Sequence, residues 1–138
     1  MSSQLNVDTI VDKAGSGGTN VKIGNTSTYV SDGGAVTQNT VQGLAKAWVL
    51  ADGDNNNSLT DSFNIASGTD NGTGDYTYAI ANDMSNANFA ASATGAGGGR
   101  RYAIQFGRTT GTFGVKLYDD NELAADNPIA SKVHGDLA

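Results

Sequence analysis

Cysteine is missing from the chain altogether. That excludes a disulfide framework, a thiolate metal site and a thiol nucleophile. Exported cellular proteins of this size often carry disulfides, so the lack points to synthesis in a cytoplasm. No apolar run approaches the ~20 residues that span a bilayer. The segment Met1-Ser2-Ser3-Gln4-Leu5-Asn6 has neither the basic region nor the apolar core of a signal peptide. A soluble product is expected, not inserted in a membrane and not exported by the usual route. Positive charge is also scarce: 8 Lys and Arg stand against 14 acids, a formal net charge of −6. A general nucleic-acid binder needs a basic footprint for phosphates, so that class is excluded.

Large apolar material is thin. Aromatic residues are 7% and apolar residues 38% of the 138, against ~45–50% apolar in ordinary globular chains, counted over slightly different residue sets. Either part of the chain is irregular, or identical copies pack together and share a core. Charged residues, at 16%, are too few for a charge-driven disordered chain. What is abundant is glycine, 19 residues, with Asn, Thr, Ser and Asp. These are the residues of turns and β surfaces.

Composition changes at Gly43-Leu44-Ala45-Lys46-Ala47-Trp48-Val49, which holds the only tryptophan. Tyr29 is the sole aromatic residue before it. Every phenylalanine and the other tyrosines follow. The expected organisation is therefore an attachment arm over residues 1–42 and a compact β domain over 43–138. In the arm, Leu5, Val7 and Thr9 alternate with Asn6 and Asp8, the period of a half-buried strand. Val21-Lys22-Ile23 and Tyr29-Val30 are shorter strands separated by glycine-rich breaks. Strands this short become stable when added to a sheet edge or wound against identical chains; an unstructured leader is the alternative. Around the seam, Val41, Leu44, Ala45, Trp48 and Val49 fall on one helical face. Gly43 and the β-branched Thr37, Thr40 and Val41 oppose a helix. We expect a strand from Ala45 to Leu50, with room for a short helical turn before it.

Beyond the seam, Asp52-Gly53-Asp54-Asn55-Asn56-Asn57 has acids at alternate positions, like the start of a calcium loop. Asn57 stands where that loop needs glycine and Phe63 where it needs a bidentate glutamate, so a polar hairpin tip is expected. Phe63-Asn64-Ile65 reads as alternating strand. Asn71-Gly72 then marks a hairpin turn, since both residues accept positive φ. Its return strand carries Tyr76, Tyr78 and Ile80 on one face. Phe89-Ala90-Ala91, Tyr102–Phe106, Phe113–Tyr118 and a closing strand from Ile129 to His134 complete the pattern. The fold class read from this spacing is all-β, an antiparallel β-sandwich following an extended arm.

Chemistry is sparse. The loop Gly95–Gly99 is followed by Arg100-Arg101, matching neither a phosphate-binding loop nor a dinucleotide fingerprint. His134 is the only histidine, and no serine near a nucleophile elbow accompanies it. Acids are scattered through loops, with no pair set up for differing pKa values. We expect no catalytic residues, no cofactor and no metal. Arg100, Arg101 and Tyr102 form the one basic and aromatic cluster, a candidate receptor or partner contact. A solvated strand start is the alternative.

Two blocks, taken together, resemble one family. Leu5-Asn6-Val7-Asp8-Thr9-Ile10-Val11-Asp12 with Ala14-Gly15 is similar to the opening of tail-fibre-like virion proteins of tailed bacteriophages, notably marine and cyanobacterial ones. Gly43–Val49, followed by Asp61-Ser62-Phe63-Asn64-Ile65 and by Asp70-Asn71-Gly72-Thr73-Gly74-Asp75-Tyr76-Thr77, resembles the core of the same proteins. Met84 to Phe89 resembles their link to the next strand, and Gly135-Asp136-Leu137 their ending. The resemblance implies a non-enzymatic virion component on the tail or capsid exterior. It implies a homotrimer, held to another virion protein through residues 1–42, with the β domain outward; loops rich in Asn, Ser, Thr and Tyr suit a host-surface glycan as its target, though the same residues serve any turn. The short separation of the two blocks implies a short fibre, tail knob or capsid-attached spike. A decoration or adaptor protein with no host-receptor role is the alternative. Val41, Leu44 and Trp48 are the residues expected at the oligomer axis or the joint between arm and head.

Overall fold

Ten strands make up the regular structure of residues 28–30, 37–39, 43–96 and 100–138, the part of the protein that the computed structural model describes. The chain divides into two units, Met1–Val41 and Gln42–Ala138. In the first, β1 (Thr28–Val30) pairs antiparallel with β2 (Thr37–Asn39), Tyr29 lying opposite Gln38. The strand expected at Tyr29-Val30 is part of β1. The expectations for Leu5–Val11, for Val21-Lys22-Ile23 and for Val41 fall outside the described residues.

In the second unit Gly43 has helical geometry, the chain bends at Leu44, and β3 begins at Ala45. The strands are β3 (Ala45–Asp52), β4 (Ser58–Phe63), β5 (Ile65–Gly72), β6 (Asp75–Ile80), β7 (Ala90–Gly95), β8 (Tyr102–Phe106), β9 (Thr112–Tyr118) and β10 (Ile129–His134). They form two antiparallel four-stranded sheets, β4-β3-β10-β7 and β5-β6-β9-β8. Between the sheets lies one core. Tyr76, Tyr78 and Ile80 enter it from β6, and Phe113, Val115 and Leu117 from β9. From the other sheet come Ala47, Val49 and Ala51 of β3 with Ile129 and Val133 of β10. The division of volume is uneven: aromatic rings from one sheet meet alanine and valine from the other. Tyr78 and Phe113, directly opposite across β6 and β9, have ring centroids 5.3 Å apart.

Two local expectations need correction. Phe63-Asn64-Ile65 is not a continuous strand. Phe63 ends β4 in one sheet, Ile65 opens β5 in the other, and Asn64 alone turns the corner at φ 56°. Asparagine tolerates this left-handed backbone better than most residues, and here its side chain fixes the corner. Nδ2 donates to the carbonyls of Lys46 and Asn82 at 3.0 and 3.2 Å, and Oδ1 accepts from the Asn82 backbone N–H at 2.7 Å. Asn64→Ala should therefore cost about 2 kcal/mol, and Asn64→Gly less, because glycine keeps the backbone angle and loses only the bonds. Urea midpoints of the two variants would check this ordering.

The hairpin turn, likewise, is not centred on Asn71-Gly72. β5 runs through Gly72 and the turn falls on Thr73-Gly74. Gly74, at φ 66°, donates its N–H to Asp126 Oδ1 at 2.7 Å and accepts from the Leu117 N–H at 2.8 Å. A Cβ there would sit 2.6 Å from the Leu117 carbonyl oxygen. Long-range bonds of this kind, invisible in local sequence, draw the turn two residues onward.

Candidate functional site

Trp48 does not belong to the core between the two sheets. On β3, Ala47, Val49 and Ala51 point inward, while Trp48 and Leu50 point to solvent. Trp48 is 37% exposed; Phe63, its cross-strand partner on β4, is 54% exposed. On the other side of Trp48 lies Lys132 of β10. Leu44 is also exposed, its carbonyl accepting from Lys46 Nζ at 2.9 Å. Further across the same face come Ala130 on β10 and Ser92 and Thr94 on β7. With Lys132 at their side, these small side chains leave a shallow depression of about 250 Å3. One sheet face thus carries a raised apolar half and a recessed small-residue half.

Tyr102 opens β8, and its ring stacks on Tyr118 of β9 at 5.3 Å with 17° between planes. Its phenol pKa is raised, by lost hydration first and then by the nearby charges of Glu122 and Asp119. Asp119 anchors the turn after β9, its Oδ1 accepting from the N–H groups of Asn121 and Leu123 at 2.9 and 3.0 Å. Those bonds, the Leu123 N–H foremost, hold its carboxyl below the ordinary range. Glu122 sits in that turn at φ 63°. Arg101 lies across Gly95, and one of its terminal nitrogens donates to the Arg100 carbonyl at 2.9 Å. Arg100, Arg101 and Tyr102 are thus neighbours at one end of β8, as adjacency in sequence dictates.

Sequence reasoning missed which way β8 faces. Ala103 and Gln105 turn inward, whereas Tyr102, Ile104 and Phe106 face solvent, Ile104 with 48% of its surface open. Phe106 lies over Gly114, where a Cβ would come within 2.6 Å of the ring, and Lys116 Nζ stands 5.1 Å from the ring centroid. Lys116 also pairs with Asp75 at 3.2 Å.

His134 is half-buried at the end of β10. It lines a cleft of about 310 Å3 with Asn86, Asn88 and Asp136. Among the described residues no three His, Asp or Glu side chains are grouped to hold a metal ion. The loop 52–57 is a hairpin tip, as expected, yet two of its residues are buried. Asn57, at φ 53°, accepts a 2.7 Å hydrogen bond from the Tyr78 hydroxyl through Oδ1. Tyr76 donates to Asp126 Oδ1 at 2.6 Å beside Gly53. Burial raises the pKa of both phenols, and the Asp126 carboxylate raises that of Tyr76 further.

These contacts position loops and present surfaces; none sets a nucleophile against a base. Comparison with protein-family models, with curated proteins and with solved structures found no match.

Proposed function

We propose that this chain is a structural protein of a tailed-bacteriophage virion, a short tail fibre or receptor-binding tip. It has no catalytic role, binds another virion protein through residues 1–42, and turns its β domain toward a host-surface glycan. The working unit is a homotrimer. The resemblance of the Leu5–Asp12 and Gly43–Val49 blocks to tail-fibre-like proteins supports the virion assignment. The homotrimer rests on that same resemblance. One structural observation carries self-association: the outward face of β4-β3-β10-β7, where Trp48, Leu50 and Phe63 stand exposed beside the depression over Ser92, Thr94 and Ala130. A three-fold contact is heterologous, so in the trimer this face meets a different surface of the next copy. Covering this face also supplies the apolar burial that the composition denies a monomer.

The adaptor reading, bound to capsid or tail without a host receptor, is favoured by the apolar side of β8, a surface suited to protein more than to sugar. The two readings part on location. A whole-virion reconstruction should place the copies on the tail with loop 52–57 outward; copies distributed over capsomers would sink the tail-fibre version. For the trimer, light scattering should give three chain masses at micromolar concentration. Trp48→Lys with Phe63→Lys should give one mass with an unchanged far-UV spectrum. Trp48→Ala alone should weaken assembly by about 2 kcal/mol or more, the scale of a buried aromatic hot spot. A well-folded native monomer at that concentration would contradict the shared face.

A further inference from the structure

The sandwich has four edge strands, and three of them are guarded. β4 is broken by a register shift opposite Leu50 and Ala51 and carries Asp61. β5 has two register shifts and carries Asp70. β7 is capped from the other sheet: in the amide orientation that satisfies both of its polar atoms, Gln105 donates to the Ala91 carbonyl at 2.7 Å and accepts from the Ser92 N–H at 3.2 Å. Bulges, charges and covering groups are the usual defences against a strand adding to an open edge. β8 has neither bulge nor charge within it, though Gln105 ties it to β7. Its five residues pair with β9 in unbroken register, include no charge, and turn Tyr102, Ile104 and Phe106 outward.

What stands at the ends of β8 narrows the occupant. All three arginines of the chain bracket it: Arg100 and Arg101 before, Arg108 after. No carboxylate among the described residues lies within 4.0 Å of any of the three guanidinium groups, although acids outnumber bases. Among the described residues Arg108 bonds only the Phe89 carbonyl, at 3.3 Å, and Arg101 Nε is buried without an acceptor, although the Arg101 charge helps to lower the pKa of Asp119. A second copy pairing edge to edge about Ile104 would bring the arginine-bearing end before one β8 toward the arginine-bearing end after the other, and like charges brought together destabilise a strand pair. An acidic strand meets the opposite situation.

We propose that β8 is the docking edge for an extended, acidic segment of a partner protein, which adds to the sheet as a fifth strand. Its alternate apolar side chains extend the row of Tyr102, Ile104 and Phe106, and its carboxylates reach the arginines at both ends. β8 itself spans about 13 Å from Tyr102 to Phe106 at ~3.3 Å per residue, and Gly107 turns the chain at φ 56° before Arg108, so the carboxylates flank a core of five residues. This goes beyond the trimer, which uses the opposite sheet. The backbone ladder supplies affinity and the charged ends supply register.

A synthetic peptide, Glu-Thr-Val-Thr-Val-Thr-Val-Glu-Glu, matches this edge when laid antiparallel. Added to the full chain, it should slow exchange of alternate backbone amides within Tyr102–Phe106 by about tenfold or more, read by NMR. The same peptide with lysine in place of glutamate should not. Arg100→Glu with Arg108→Glu, both exposed positions, should keep the native far-UV spectrum and reverse the preference. Equal protection by both peptides, or by neither, overturns the proposal. So does protection of β8 without peptide that grows with protein concentration, since the occupant would then be a second copy.

Discussion

Above about pH 10 the β domain should lose stability steeply, by ~2.7 kcal/mol per pH unit. Tyr76 and Tyr78 are completely buried, and both phenols have raised pKa values in the folded state. The unfolded value is ~10. Below it, both states hold the protons and the contribution of these groups is fully present. Above it, the unfolded chain releases two protons that the folded one keeps, so each tyrosine favours unfolding by ~1.4 kcal/mol per unit. Against a total stability of ~5–15 kcal/mol, two such groups suffice to unfold the domain within a few pH units. The tyrosinate absorbance of Tyr76 and Tyr78, two of the five tyrosines, should appear together with loss of the far-UV signal, because their ionisation requires unfolding. Tyr78→Phe should halve the slope. At neutral pH it should also cost about 1–3 kcal/mol, since Asn57 Oδ1 is left buried without its donor. Tyrosinate that appears well below the unfolding transition and is lost in Tyr78→Phe would mean that this phenol is reached by solvent.

These tyrosines belong to the part of the fold that local pattern makes legible. Tyr76, Tyr78 and Ile80 alternate with polar or small residues, and so do Phe113, Val115 and Leu117. Such alternation announces both a strand and the side that faces the core. β10 was equally readable between Pro128 and Gly135. β5 was harder, because Ser67-Gly68-Thr69-Asp70-Asn71-Gly72 has no apolar period; it is a strand because β6 lies beside it. Alternation also fails where both faces carry weight. In β8 it separates Tyr102, Ile104 and Phe106 from Ala103 and Gln105, and apolar content alone would bury the larger set. The structure does the reverse: the inward Gln105 reaches across to β7, and the outward side is left for something else to cover. Trp48 poses the same ambiguity on β3. Its neighbours Ala47 and Val49 suit the space left by the tyrosine rings, which sends the indole out. At both candidate surfaces, then, the departure from a monomer's pattern is what supports the proposed interfaces.

Gly53→Ala should be among the most damaging small substitutions in the protein, costing about 3 kcal/mol or more. Asp52-Gly53-Asp54 reads as a solvated tip where one added methyl would go unnoticed, yet Gly53 is buried. A Cβ built there would collide with the Asn127 carbonyl oxygen, and would lie 2.7 Å from the Tyr76 hydroxyl and 3.0 Å from its ring carbon. The first of these is backbone held next to β10, and the second is a ring fixed in the core. Neither can swing away as an exposed side chain would. Overpacking alone costs ~1–3 kcal/mol. Moving Tyr76 also breaks its 2.6 Å bond to Asp126, the carboxylate that holds the Gly74 turn. Two connections far apart in sequence, the β3–β4 tip and the β5–β6 turn, would therefore loosen together. Asp54→Ala, one residue away and exposed, should change stability by no more than ~0.5 kcal/mol. The contrast in denaturation midpoints tests packing against chemistry within one loop. If Gly53→Ala is as harmless as Asp54→Ala, the tip is not packed on Tyr76, and that phenol should then lose its resistance to alkali as well.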